Sequence, residues 1–244
     1  MGIVQFGSLL ASCGYDGKVI VWREQEGSQG RAWQQAWALP EGTHDASVNG
    51  VAWAPHECGL ALASASSDGS CAVASCSETG EWEVKKLARA HNLGALAVSW
   101  APAASPGALV GVAEGEAPVR RLVTAGCDNT LKVWTQPTAG AEWALEHTLS
   151  GHSDWVRDVA WAPNIGLPKN TIASAGQDGQ VLIWTQVDAG AAWTSVLLKD
   201  FGAPVWTVSW SVTGNILAVA DGNNTVTLWK EAIDGQWQQV QSVE

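Results

Sequence analysis

Gly151-His-Ser-Asp-Trp-Val-Arg-Asp-Val-Ala-Trp-Ala-Pro163, followed after a short loop by Thr171-Ile-Ala-Ser-Ala-Gly-Gln-Asp-Gly-Gln-Val-Leu-Ile-Trp184, is the stretch whose reading decides the fold. Its apolar residues alternate in short runs, the period of a half-buried strand. Asp178-Gly179 separates the second run from the third, the composition of a tight turn between antiparallel strands. A Gly-His pair opens the unit and an Ile-Trp pair closes it. Degraded copies lie on both sides.

Outward from this stretch, the chain opens at Leu9 to Ser12, with Asp16 in the turn, Lys18 to Trp22 as the next strand and a further strand around Trp33 to Leu39. Met1 to Gly7 matches no strand, so this unit is expected to begin at its second strand. The next unit starts at Thr43-His44, with Val48 to Trp53, Leu60 to Ser64, Asp68 and Trp82; Ala74 stands in its closing Trp position. The third starts at His91, runs through Trp100 and a long Ala/Gly/Pro/Glu loop (Ala103 to Pro118), and continues with Leu122 to Thr124, Asp128, Trp134 and Trp143. Trp193 marks the fourth strand of the opening unit. The last unit runs Pro204 to Trp210, Ile216 to Ala220, Thr225 to Trp229 and Gln236 to Val243. Phe201 lies near its His position, Val219 in its Ser position and Asn223 in its Asp position.

A unit of this kind is the signature of a WD repeat, one four-stranded blade of a β-propeller. The expected fold is therefore all-β: a single WD-repeat propeller over residues 1–244, with blade segments at about 6–40, 43–89, 91–149, 151–199 and 203–243. One blade is incomplete and four are complete. The last blade supplies its own four strands and the N-terminus has none to lend, so the ring is expected to stay open, each terminal blade showing an apolar face.

Composition narrows the function. The net charge of −11 argues against nucleic acid and against docking on an acidic membrane. No apolar run approaches the roughly 18 residues of a membrane span, and no secretory leader is expected. Five cysteines, odd in number and without a C-x-x-C pair, suit reduced thiols in the cytosol and no zinc site. Sixteen tryptophans against one tyrosine and two phenylalanines point to repeated structural positions.

Polar residues recur at matching offsets: His152, Ser174, Asp178 and Trp184; His91, Thr124, Asp128 and Trp134; and the partial sets His44, Ser64, Asp68 and Ser12, Asp16, Trp22. Ser, His and Asp together suggest a hydrolase, but a catalytic constellation is single and these recur. They are expected to form a buried structural network, and no catalytic residue, metal ligand or cofactor is expected. His56-Glu57 lacks the second His of a zinc peptidase, Asn223-Asn224-Thr225 is a formal glycosylation sequon in a tight turn, and Arg120-Arg121 is expected at a solvated edge, with contact to an acidic partner as the alternative. Trp155, Arg157 and Trp206, at or just before the first strands of two blades, are read as inter-blade packing or as a partner contact at the propeller mouth.

Ser153 to Pro163 with Ile165 to Pro168, Gly80 to Lys86, Ala97 to Pro102 and Val205 to Gln238 resemble the Sec-thirteen family of WD-repeat proteins over about Phe6 to Gln238. The resemblance implies an open six-bladed propeller completed by a blade from an α-solenoid partner. It further implies a non-enzymatic subunit of the outer COPII coat for transport from the endoplasmic reticulum to the Golgi. The family also serves the nuclear pore outer-ring scaffold, through a second solenoid, and a nutrient-signalling complex. The implied locations are the cytoplasm, peripheral on endoplasmic reticulum exit sites and vesicles, and the nuclear envelope, with no insertion into the bilayer. The family carries a first blade, and a first strand of the second, before the match to Phe6. The wall left for the inserted blade is expected at Val205, Trp206, Trp210, Leu217 and Trp229. Two alternatives stand beside this reading: another WD adaptor, such as a related nucleoporin or a ubiquitin-ligase receptor, binding peptides on the propeller face, and a propeller enzyme.

Overall fold

The computed structural model describes residues 2–3, 8–27, 30–104, 118–138, 140–164, 169–188 and 190–243. Phe6, most of the long loop after Trp100, and Ile165 to Pro168 lie outside the described residues. Among the described residues twenty strands form five antiparallel four-stranded sheets. The first holds β1 (Gly2–Ile3), β2 (Leu9–Cys13), β3 (Val19–Gly27) and β4 (Gly30–Ala38). The second holds β5 (Val48–Trp53), β6 (Ala61–Ser66), β7 (Cys71–Cys76) and β8 (Trp82–Leu87). The third holds β9 (Ala95–Trp100), β10 (Arg120–Gly126), β11 (Thr130–Gln136) and β12 (Ala144–Ser150). The fourth holds β13 (Val156–Trp161), β14 (Asn170–Gly176), β15 (Gln180–Gln186) and β16 (Thr194–Asp200), and the fifth β17 (Val205–Trp210), β18 (Ile216–Asp221), β19 (Val226–Glu231) and β20 (Trp237–Val243). One 3-10 turn, His56–Cys58, interrupts the strands.

The first sheet differs from expectation. Gly2 and Ile3 pair with Ala11 and Leu10, so a two-residue stub occupies the innermost position where no strand is anticipated. The first strands of the other sheets have six residues each. A stub this short has no alternation to read, which is why the sequence hides it.

The turn between second and third strands is built alike in the first four sheets. An Asp carboxylate accepts the backbone N–H two residues on: Asp16 from Lys18, Asp68 from Ser70, Asp128 from Thr130 and Asp178 from Gln180. This Asx geometry pre-forms the turn. In the last sheet Asn223 holds the Asp position, and the carboxylate comes from Asp221 two residues earlier, which accepts the Asn223 and Thr225 N–H groups. The left-handed position that follows falls to Gly17, Gly69, Asn129, Gly179 and Asn224, the residues that tolerate it.

Alternation then sorts the side chains into two faces, and successive sheets stack through them. Leu9, Ala11, Val19 and Val21 of the first sheet bury against Leu62 and Ala74 of the second. Ala61, Ala63 and Val73 of the second meet Trp100 and Leu122 of the third. Val123, Leu131 and Val133 of the third meet Ile172 and Trp184 of the fourth, and Ala173, Val181 and Ile183 of the fourth meet Leu217, Val219 and Trp229 of the fifth. The stacking follows chain order, and no comparable packing joins the first sheet to the fifth among the described residues. The propeller is open.

Directed hydrogen bonds fix each stack. Trp100 and Trp210 donate their indole N–H groups to the Ala52 and Ala160 carbonyls of the preceding sheets, both at 3.0 Å. Asn49 reaches the Ala95 carbonyl at 2.8 Å, Ser99 accepts the Trp161 N–H at 3.0 Å, and Asp158 accepts from the Thr207 hydroxyl and the Val208 N–H. Arg120-Arg121 is no solvated edge. Arg120 bonds Ser75 and the Cys58 carbonyl of the second sheet, and Arg121 grips Glu146 with two bonds of 2.8 Å.

Candidate functional site: polar locks and two open faces

In the fourth sheet His152, carried by the loop before β13, reaches the end of β14 and the turn beyond it. Its Nδ1 lies 3.0 Å from Asp178 Oδ2 and its Nε2 lies 2.7 Å from Ser174 Oγ. Trp184 donates its indole N–H to the same hydroxyl at 2.9 Å. Donor logic settles the direction. A carboxylate only accepts, so Nδ1 carries the proton; Nε2 then accepts the Ser174 O–H, whose oxygen accepts from Trp184. The third sheet repeats the chain, with His91 2.8 Å from both Asp128 and Thr124 and Trp134 3.1 Å from Thr124.

The second sheet inserts a residue that the sequence reading passes over. His44 Nδ1 meets Ser70 Oγ at 2.9 Å and Ser70 donates to Asp68 Oδ1 at 2.7 Å, while Asp68 Oδ2 stands 3.8 Å from the ring. His44 Nε2 meets Ser64 at 2.8 Å, and the indole position holds Ala74. In the first sheet Trp22 donates to Ser12 at 2.8 Å, and Asp16 serves its turn alone. The fifth sheet replaces the network with aromatics: Trp229 turns its N–H to Thr227 and stands edge-on to Phe201, with Lys199 over both rings.

Burial pushes the His44 and His152 imidazoles below the usual histidine range, against the pull of Asp68 and Asp178. Burial opposes ionisation of Asp68, yet hydrogen bonds led by Ser70 hold its carboxyl down at about 2. Asp128 lies well below the usual carboxylate range because His91 and Thr130 outweigh its burial. His44 and His152 are thus held as neutral imidazoles. Ser64, Thr124 and Ser174 are fully buried with their hydroxyls committed, so none presents a nucleophile to a substrate. His56 and Glu57 form an exposed pair at 3.2 Å. Among the described residues no group of three or more His, Cys, Asp or Glu is placed to hold a metal ion, and no helix is long and apolar enough to cross a membrane.

The lock residues also orient each sheet, because they always look toward the preceding one. Trp134 and Leu122 face the second sheet, and Trp184 and Ile172 face the third. By the same rule Val205, Leu217 and Trp229 face the fourth sheet and are buried there, with Trp210 packed against them. They do not form the open wall that the sequence reading assigns to them. The free face of the fifth sheet carries the alternate set, Ser209, Ile216, Ala218, Ala220, Val226 and Leu228. The free face of the first sheet is its lock face: Leu10, Ser12, Ile20 and Trp22, all partly exposed. Trp155, Arg157 and Trp206 belong to neither face. They lie at the turn end of the fourth and fifth sheets.

Residues 143–185 and 195–230 match the family described as WD domain, G-beta repeat, and residues 7–103 match the anaphase-promoting complex subunit 4 WD40 domain. The chain is 49% identical over 236 residues to the Protein SEC13 homolog of Drosophila melanogaster, covering 96% of this chain and 64% of that protein. It is 48% identical to the Protein transport protein SEC13 of Coccidioides immitis, covering 98% of this chain and 78% of the relative. Against the protein of the same name from Cryptococcus neoformans the identity is 45%, covering 96% and 76%.

Proposed function

Because the chain belongs to the SEC13 family of WD-repeat propellers, we propose that it is a non-enzymatic scaffold subunit in protein transport. In this reading it serves the outer COPII coat and the nuclear pore scaffold. It works by β-sheet complementation: an α-solenoid partner inserts a blade of its own against an open sheet face. The open stack carries the proposal. The fifth sheet leaves Ile216, Ala218, Ala220, Val226 and Leu228 on a face with no sheet over it among the described residues, and small apolar residues flanked by polar ones suit close sheet-on-sheet packing. The first sheet offers a narrower face around Leu10, Ile20 and Trp22.

Co-elution on a sizing column with the blade-bearing segment of the coat solenoid tests this. The chain is expected to co-elute, and Ala218→Glu, a charge in the middle of the open face, is expected to abolish it while far-UV circular dichroism stays unchanged. A wild-type chain that elutes apart from the segment, or an A218E variant that binds as well, overturns the proposal.

A further inference from the structure

A row of side chains crosses the turn end of the fourth and fifth sheets. The Trp155 carbonyl accepts the Gln177 N–H at 2.8 Å, which seats Trp155 beside Gln177. The Gln177 side-chain carbonyl accepts the Arg157 Nε–H. The Arg157 guanidinium lies over the Trp206 ring, 4.0 Å from its centroid. Trp155 is 47% exposed and Trp206 53%, whereas most tryptophans at repeated positions are largely covered. The terminal nitrogens of Arg157 bond to no described residue. Of the nearby carboxylates, Asp154 accepts the Trp155 N–H through Oδ1 at 2.7 Å and Asp158 accepts from Thr207 and Val208; neither forms an ion pair with Arg157 among the described residues.

These observations have one chemical meaning together. Stacking on an indole and bonding through Nε fix the guanidinium, so little rotamer freedom remains to be lost on binding. Its free edge presents two nitrogens in the fork that matches a carboxylate. Half-exposed indoles on either side offer apolar area next to that charge, the composition of interface hot spots. In a chain with 24 acidic and 13 basic residues, an arginine without a carboxylate is a position whose counter-charge comes from outside. One fixed guanidinium suits one carboxylate, whereas a nucleic acid would need a row of cations along its phosphates.

We infer that Trp155, Gln177, Arg157 and Trp206 form a docking site for an acidic linear peptide. A carboxylate side chain seats on the free edge of Arg157, and an adjacent apolar or aromatic residue covers Trp155 or Trp206. The site is at the end of the stack that carries the locks, away from both open faces, and does not rest on the scaffold proposal.

The test is a titration of the whole chain with the blocked peptide Asp-Glu-Phe-Asp-Leu-Glu at low salt, read by tryptophan fluorescence and by the indole N–H signals in ¹⁵N spectra. The control is the same peptide with Lys at every acidic position. Saturable shifts are expected with the acidic peptide alone, weakened about tenfold or more by Arg157→Gln and by Trp206→Leu, since each removes a central contact. The two variants remove different contacts, and each is checked for unchanged circular dichroism. No saturable shift, equal binding of the lysine peptide, or undiminished binding by a folded R157Q or W206L overturns the inference.

Discussion

Removing one hydroxyl from the best-formed lock has a cost that follows from the donor chain. Ser174→Ala takes away the acceptor of the Trp184 indole N–H and the donor to His152 Nε2, both in buried surroundings. A buried polar group stripped of its partner costs about 1–3 kcal/mol, so two stranded groups give about 2–6 kcal/mol. Ser64→Ala in the second sheet strands His44 Nε2 alone, because Ala74 holds no indole there, and should cost about 1–3 kcal/mol. The assay is urea unfolding followed by tryptophan fluorescence, with amide exchange of β14 and β15 to localise the loss. A double-mutant cycle sharpens it. Trp184→Phe removes the stranded N–H, so adding it to Ser174→Ala should cost clearly less than Trp184→Phe alone, a coupling of about 1 kcal/mol. If Ser174→Ala costs no more than Ser64→Ala, or the cycle is additive, the donor chain is not what holds the loop to the turn.

Three further outcomes follow from the same geometry. His44 and His152 titrate below their unfolded value, so the unfolded chain binds more protons as pH falls through about 6.5. The urea midpoint should therefore drop between pH 7 and 5.5, and a midpoint that rises on acidification contradicts the buried neutral imidazoles. Asp158→Ala deprives the Val208 N–H and Thr207 hydroxyl of their acceptor; a loss of about 1.5–3 kcal/mol is expected, with faster amide exchange at Val208, and unchanged exchange there would sink it. Gly80 and Gly214 both sit at positive φ, but a Cβ on Gly80 meets open space and one on Gly214 meets the Pro163 carbonyl. Gly80→Ala should cost about 1–2 kcal/mol of backbone strain and Gly214→Ala markedly more; equal thermal shifts would refute the close approach.

Much of this molecule can be read from its residues, for a physical reason. Period-two alternation and Asp-Gly or Asp-Asn turns are local signals, and they place the strands of the four later sheets. The network around His152 and His91 is legible because its members recur at fixed offsets. Other features escaped. Ser70 relays between His44 and Asp68 because a 3.8 Å gap opens there, and a gap leaves no mark in a pattern of residue types. The stub at Gly2–Ile3 is too short to alternate. The open wall was put on the wrong side of the fifth sheet because alternation divides a strand into two sets without saying which neighbour each set meets. The lock face looks back along the chain in each of the later sheets, and that rule would have assigned Leu217 and Trp229 inward.

Among the described residues every strand pairing joins neighbours in the chain, and no sheet borrows a strand from far away in sequence. During synthesis this makes each blade a local fold. Hairpins can zip as soon as their segment leaves the ribosome, at the low contact order that favours fast folding. A ring sealed by a strand from its far end would hold its first blade unfinished until the last residue emerged. Each finished sheet becomes the template on which the next one lands, the lock face of the newcomer turned back toward the sheet made before it.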